Sequence, residues 1–384
     1  MPKISLISIS YLLNSFLSTA LMFIYFFLGQ TNKAAELALI SSFILVLLQI
    51  FSSNKRNLIL VTKNKELINK TLIFRIIFVI PISIIFFLYL NISNLFSVTN
   101  FILFFLFSSL WINEIFIAES ELKKNYNFSY YFILLMVLLF FSIILDELLF
   151  GKFFIYIIIS FIIFLFSKQI KNIFTNIQIL KYLNIKNFKN SLYDNILSST
   201  FFSSFSFLLS VFVWRFFLIK FLSEEVAIYF FLVFAIASFP STFLNNFLGM
   251  TIIKEKKLIF KKLYFALTVT TIVMIFLLRY LINISIPIFD IFALNYEIYK
   301  LLIYSLVGTI IMFPAMFIRL NIIFISVKNS NLIFYLDVLY GILISLVVPT
   351  IGYFYLNYLN TAYLICSIIS FIFYYTIYYF MIKK

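Results

Sequence analysis

The chain has 384 residues, of which 64% are hydrophobic and 11% charged, and its mean hydropathy of +1.12 is too high for a soluble domain of this size. The absence of histidine and the single cysteine, Cys366, exclude histidine general bases, Cys/His zinc sites and disulfide frameworks. The net charge of +15 raises the question of a nucleic-acid partner, which the distribution of the basic residues answers below.

Twelve apolar stretches follow one another along the chain, most of them close to the roughly 20 residues that a helix needs to cross the hydrocarbon core. They are residues 4–28, 37–53, 72–90, 100–118, 128–149, 153–170, 195–219, 226–249, 263–285, 300–326, 332–356 and 358–381. We therefore predict an all-α polytopic membrane protein with about 12 transmembrane helices in two six-helix bundles. The N-terminal bundle is expected over 1–170 and the C-terminal bundle over 195–384.

The connection between the predicted bundles is the longest in the chain and is rich in lysine and asparagine. Ile173, Ile177 and Leu180 recur within it at a spacing that suits a helix lying on the membrane surface. We predict that 171–194 forms a cytoplasmic basic linker helix, which either only joins the halves or also binds a partner.

The two predicted halves begin alike. Each opens with an apolar span carrying Asn or Ser, continues through a short outer loop with an acidic residue, and reaches a basic cytoplasmic run after its second span. The basic runs are "NKRNLILVTKNK" in the first half and "KEKKLIFKK" in the second. Such an internal duplication is typical of transporters.

The basic residues predict the orientation of the chain. With the N-terminus in the cytoplasm, 22 of the 29 basic residues fall on the cytoplasmic side, five fall on the outer side, and Arg215 and Arg319 lie within spans. Cytoplasmic loops carry such an excess of Lys and Arg, so both termini are predicted to be cytoplasmic. The positive charge then faces anionic lipid, and no nucleic-acid partner is expected.

Among the ionisable residues within the predicted spans, four are candidates for a functional role: Glu114, Arg215, Arg319 and Asp337. A charge at the centre of a transmembrane helix costs about 2.5–3.5 kcal/mol, so such residues face a bundle interior or a wet cavity unless they snorkel to the surface. Arginines in a wet cavity would suit an anionic cargo, because the planar guanidinium matches two phosphate oxygens at once. Trp214 is either a stacking surface for a sugar ring or an aromatic residue of the membrane interface.

Two of these residues could form an ion pair, and the two acidic residues are candidates for binding a coupling ion. Arg319 and Asp337, on neighbouring predicted helices, could pair with each other. Glu114 or Asp337 could instead take up H⁺ or Na⁺, which makes them candidates for coupling transport to an ion gradient. No other cofactor is expected, and no metal site.

An enzymatic function is not predicted. Membrane glycosyltransferases and polysaccharide ligases usually carry clustered carboxylates, His or Arg in a sizeable outer loop, and the outer connections here are short. The sequence contains no Gly-rich phosphate loop or other nucleotide motif, so ATP hydrolysis is not expected.

Two segments of the chain resemble a known family. The segment "LSEEVAIYFFLVFAIASFPSTFLNNFLG" (222–249) looks like the stretch that follows the seventh helix of bacterial polysaccharide exporters. The segment "SIPIFDIFALNYEIYKLLIYSLVG" (285–308) resembles their outer loop before the tenth helix. The family is that of the lipid-linked oligosaccharide (O-antigen type) flippases of the MOP superfamily, relatives of the MATE exporters. The predicted helix count, orientation and basic linker agree with it.

The resemblance implies two six-helix bundles facing across a cavity that opens to each side in turn. The implied cargo is an undecaprenyl-diphosphate-linked oligosaccharide, carried from the cytoplasmic to the periplasmic leaflet of the bacterial inner membrane for surface polysaccharide assembly. Membrane lipids and a polysaccharide polymerase complex are the other partners it implies. Charge and location, not a shared motif, nominate Arg215 first for the diphosphate, followed by Arg279 and Arg319, with Trp214 as a further candidate in the lumen.

The sequence leaves two alternative functions open. A MATE-like, cation-coupled exporter should carry an acidic residue deep in its first bundle, and the first predicted span, 4–28, contains none. An integral-membrane glycan polymerase or ligase is disfavoured by the lack of a long outer loop.

Overall fold

The computed structural model describes most of the chain, and it is almost entirely helical. The described residues are 2–51, 59, 65–123, 127–149, 199–221, 227–232, 234–235, 257–283, 296–326, 338–343, 346–347, 350 and 361–383. Of these residues 96% are helical and none lies in a strand. The predicted all-α class is therefore confirmed for this part of the chain.

Nine long helices lie within the described residues. They are α1 (Pro2–Phe27), α2 (Thr31–Phe51), α3 (Lys65–Ile92), α4 (Val98–Lys123), α5 (Asn127–Leu149), α6 (Ser199–Phe221), α7 (Lys257–Asn283), α8 (Tyr296–Ser326) and α9 (Ala362–Lys383). Each coincides with one predicted span. Short helical stretches at 227–232 and 338–343 fall in two more. The predicted span 153–170 and the predicted linker helix 171–194 lie outside the described residues.

Four of these helices contain an apolar stretch long enough to cross a membrane: Thr31–Leu48, Leu67–Ile92, Thr99–Lys123 and Tyr363–Phe380. Shorter apolar stretches occur in α1, α5, α7 and α8. The described part of the chain is thus all-helical, and several of its helices are apolar enough to lie in a bilayer. The count of 12 spans stays a prediction.

The chain divides into two compact units. The first comprises Met1–Ile24 and Leu39–Leu208, and the second comprises Tyr25–Ala38 and Leu209–Lys384. The last turn of α1, the first part of α2 and the C-terminal half of the chain therefore belong to the same unit.

In the first unit, α3 packs against α4, and α4 packs against α5. Ile82, Phe86 and Leu90 recur every fourth residue on the buried face of α3, and the Phe86 ring stacks on Phe104 of α4 at 5.0 Å between centroids. Ile84 and Leu88 point away from this core and are more than half exposed. A helix with apolar side chains on both faces is what a bilayer-facing position requires.

In the second unit, α8 packs closely against α9, and small side chains make that approach possible. Ser305, Gly308 and Thr309 lie buried on α8, and Ser367 lies buried on α9. Helices in membranes associate through such small residues, since apolar burial offers little driving force between lipid-facing helices.

Substituting Gly308 by alanine is expected to destabilise this contact by about 1–3 kcal/mol, as overpacking of a buried site usually does. A Cβ atom at position 308 would lie 2.6 Å from Cδ1 of Tyr363 and 3.2 Å from Oγ of Ser367. The Tyr363 ring has little room to move, because it is buried and packs edge-on against Phe234. Unfolding of the purified protein in detergent, followed by circular dichroism, measures the loss.

A double-mutant cycle supplies the control for this prediction. In a Tyr363→Ala background the ring is gone, so Gly308→Ala should cost much less than it does in the wild-type protein. An equal cost in both backgrounds would show that the overlap between Gly308 and Tyr363 is not the cause.

Candidate functional site

Arg215 lies in α6, and its side chain reaches the backbone of α2. Nη1 of Arg215 donates a hydrogen bond to the Ala38 carbonyl oxygen at 2.8 Å, across 177 residues of sequence. The side chain is only partly buried. Arg215 therefore holds a fixed position in the second unit while part of it stays accessible.

The turn between α1 and α2 brings Ala38 to this position. Gly29 adopts a left-handed conformation with φ of +76°, which favours glycine, and its N–H donates to the Phe26 carbonyl at 2.9 Å. The N–H of Gln30 donates to the Tyr25 carbonyl at 2.9 Å. These two bonds form a Schellman motif, which ends α1 and allows α2 to start at Thr31.

Two aromatic rings lie beside the Arg215 guanidinium. Its Cζ atom is 5.6 Å from the centroid of the Trp214 ring and 5.5 Å from that of Phe231, within the range of cation–π attraction. Trp214 itself is only 3% exposed. It packs against Phe230, Phe231 and Phe234 with centroid separations of 5.2–5.7 Å. In this structure Trp214 supports Arg215 and the aromatic core; contact of its ring with a sugar stays a prediction.

The charge of Arg215 is not neutralised by any carboxylate among the described residues. Its Nε–H is buried and finds no hydrogen-bond acceptor there, and the Ala38 carbonyl is a neutral partner. A buried donor without an acceptor is energetically costly. The unneutralised charge can attract an anionic group to the accessible part of the side chain.

Another arginine, Arg75, lies in the first unit. It was counted among the cytoplasmic basic residues and was not predicted as a site residue. The structure buries its side chain fully, between α3 and α4. Nη1 of Arg75 lies 2.8 Å from Oε2 of Glu114 and also donates to the Trp111 carbonyl oxygen. Its Cζ atom is 4.8 Å from the Trp111 ring centroid.

Further polar contacts join α1 to the same region of the first unit. The Asn113 side-chain amide donates to Oδ1 of Asn14 at 3.2 Å. The Ser10 hydroxyl donates to the Ser129 carbonyl on α5 at 3.2 Å. Hydrogen bonds between transmembrane helices contribute about 0.6 kcal/mol each on average, so these contacts fix the positions of α1, α4 and α5 more than they stabilise them.

One sequence signal could have identified the Arg75–Glu114 pair. Helices α3 and α4 are joined by the short turn 93–97, and Arg75 and Glu114 stand at nearly equal distances in sequence before and after it. Residues placed in this way on a helical hairpin lie at the same depth in a bilayer. Arg75 was instead counted among the cytoplasmic basic residues, although position 75 falls near the start of the predicted span 72–90.

The other predicted site residues lie apart in the described structure. Arg279 is exposed near the C-terminal end of α7, and Arg319 lies partly buried in α8, where it has interactions of its own. Asp337 lies outside the described residues, and with it the predicted pairing of Asp337 with Arg319. Among the residues that the structure describes, no three His, Cys, Asp or Glu side chains come together as metal ligands would.

Comparisons with protein-family models, with curated proteins and with solved structures gave no match.

Proposed function

We propose that this protein is a membrane transporter that flips an undecaprenyl-diphosphate-linked oligosaccharide from the cytoplasmic to the outer leaflet of a bacterial inner membrane. The observation that supports this function is Arg215, a guanidinium within an apolar helix whose charge no described carboxylate neutralises. The choice of cargo comes from the resemblance of the segments 222–249 and 285–308 to the oligosaccharide flippases.

Arg75 and Arg215 differ in the way that this proposal requires. Arg75 is fully buried against the Glu114 carboxylate at 2.8 Å, so its charge is already balanced. Arg215 is partly exposed, and among the described residues its guanidinium contacts a backbone carbonyl and aromatic rings but no carboxylate. Of the two, Arg215 is therefore the residue that can accept an anionic ligand without first losing an ionic partner.

In the proposed mechanism Arg215 binds the diphosphate while the polyprenyl chain stays in the bilayer. The hydrogen bond to Ala38 and the rings of Trp214 and Phe231 hold the guanidinium in one orientation. A donor fork held in place loses little conformational entropy when it binds phosphate oxygens. The diphosphate charge that would oppose entry into hydrocarbon is then partly balanced within the protein.

Coupling to an H⁺ or Na⁺ gradient is part of the proposal, and either Glu114 or Asp337 would bind the coupling ion. Glu114 forms an ion pair with Arg75 at 2.8 Å, and Asp337 lies outside the described residues.

Genetic complementation tests the proposed function. Expression of the wild-type chain is expected to restore surface glycan in a strain that lacks its lipid-linked oligosaccharide flippase, and Arg215→Ala is expected to fail at equal membrane abundance. Restoration only in a strain that lacks the glycan polymerase would contradict the proposal and support a polymerase.

A further inference from the structure

Helix α7 carries a charge-free segment whose length matches the hydrocarbon core. No charged residue occurs between Lys262 and Arg279. Seventeen helical steps of 1.5 Å place the two positions about 26 Å apart along the axis, close to the roughly 30 Å of bilayer hydrocarbon. A bilayer spanned by this segment would have Arg279 at its headgroup layer.

The surface of α7 next to Arg279 contains an apolar groove. A concavity of about 500 Å³ is lined by Val273, Phe276, Leu277, Arg279 and Tyr280. Phe276 is 67% exposed and Tyr280 64% exposed, one helical turn apart. The apolar lining runs along the helix from Arg279 toward the middle of the charge-free segment. The concavity is shallow and open, and all of its lining residues belong to α7.

Arg279 is an unpaired cation within the described part of the chain. It forms no ion pair or hydrogen bond with another described residue, whereas Arg75 and Arg215 are both held by partners. A cation at the headgroup end of an apolar groove is complementary in charge and shape to an anionic lipid. A second copy of the chain would match this surface equally well only if it placed a carboxylate next to Arg279.

We propose that this groove binds an anionic phospholipid of the bilayer, with its phosphate on Arg279 and an acyl chain along Val273, Phe276 and Leu277. The lipid would be a bound component of the membrane boundary, separate from the cargo and independent of the proposed transport function.

Tryptophan quenching by brominated lipids tests this proposal in the full-length protein. Both native tryptophans, Trp111 and Trp214, are buried, so Tyr280→Trp places a reporter at the groove. The protein is reconstituted in phosphatidylcholine bilayers with increasing fractions of acyl-chain-brominated phosphatidylglycerol or brominated phosphatidylcholine. We expect phosphatidylglycerol to bind about fivefold more tightly, the preference that one basic residue near a membrane surface provides.

Matched variants identify Arg279 as the source of the preference. Arg279→Gln in the Tyr280→Trp protein should reduce the ratio to about one, and Arg279→Lys should retain most of it. Lys220→Gln, which removes an exposed basic residue from the last turn of α6, should leave the ratio unchanged.

Three results would overturn the proposal. An equal affinity for both lipids, or a preference that survives Arg279→Gln, would remove the phospholipid site. A reporter that no brominated lipid quenches would indicate that protein covers the groove, as a second copy of the chain would. Displacement of phosphatidylglycerol by substoichiometric undecaprenyl phosphate would assign the groove to the cargo.

Discussion

Replacing Glu114 by alanine is expected to destabilise the protein by about 3–5 kcal/mol, because it leaves the Arg75 guanidinium charged, fully buried and without its carboxylate. Glu114→Gln should cost less, since the amide oxygen can still accept a hydrogen bond from Arg75. Unfolding in mixed detergent micelles, followed by circular dichroism, gives the free energy of unfolding for each variant.

The same helix provides the control for Glu114. Glu119 forms an exposed ion pair with Lys123 one turn later, and pairs of this kind contribute about 0.3–0.5 kcal/mol. Glu119→Ala should therefore change stability by less than 1 kcal/mol.

Removing both partners of the buried pair gives a second test of the same interpretation. The double variant Arg75→Met with Glu114→Leu should recover most of the stability that Glu114→Ala loses, because no charge is then left without a partner. A small effect of Glu114→Ala, similar to that of Glu119→Ala, would mean that water or another group compensates Arg75.

Replacing Arg215 by glutamine is expected to lower the rate of cargo transfer at least tenfold, since hydrogen bonds to charged groups contribute about 1.5–3 kcal/mol each. Arg215→Lys should recover only part of the rate, because an ammonium keeps the charge but lacks the planar donor fork. The rate is measured in proteoliposomes that contain equal amounts of folded protein.

A stability measurement separates this effect on transport from simple misfolding. The hydrogen bond from Arg215 to Ala38 joins α6 to α2, so its loss should cost about 1 kcal/mol, far less than the loss of Glu114. Lys220→Gln, at the end of the same helix, should change neither transport nor stability. An Arg215 variant that transports normally would exclude this residue from cargo binding.

Hydropathy predicted the described helices well and their ends poorly. The predicted span 72–90 lies inside α3, which starts at Lys65 and runs to Ile92. The predicted span 37–53 misses the first turn of α2, where Thr31, Asn32 and Lys33 are polar. Hydropathy detects only the part of a helix that suits hydrocarbon, whereas the backbone hydrogen bonds continue into the headgroup layer.

The buried polar contacts could be predicted only in part. Arg215 and Glu114 were identified because a charge within an apolar span is conspicuous in the sequence. The partners were not identified: Ala38 contacts Arg215 through a backbone carbonyl, for which no residue type gives a signal. Arg75 was assigned to the cytoplasmic side because counting basic residues assumes that each faces water or headgroups, and burial against Glu114 violates that assumption.

Leaflet exchange of a fluorescent undecaprenyl-diphosphate-linked oligosaccharide, in vesicles that contain the purified protein, tests directly whether the protein is a flippase that uses Arg215. A membrane-impermeant quencher added outside distinguishes the two leaflets. We predict that quenching approaches completion with the wild-type protein and stops near half of the signal in protein-free vesicles, whereas with Arg215→Gln the second half of the signal is lost at least tenfold more slowly than with the wild-type protein. Equal quenching with both proteins, or no exchange with the wild-type protein, would contradict the assignment of Arg215 as the diphosphate-binding residue of a flippase.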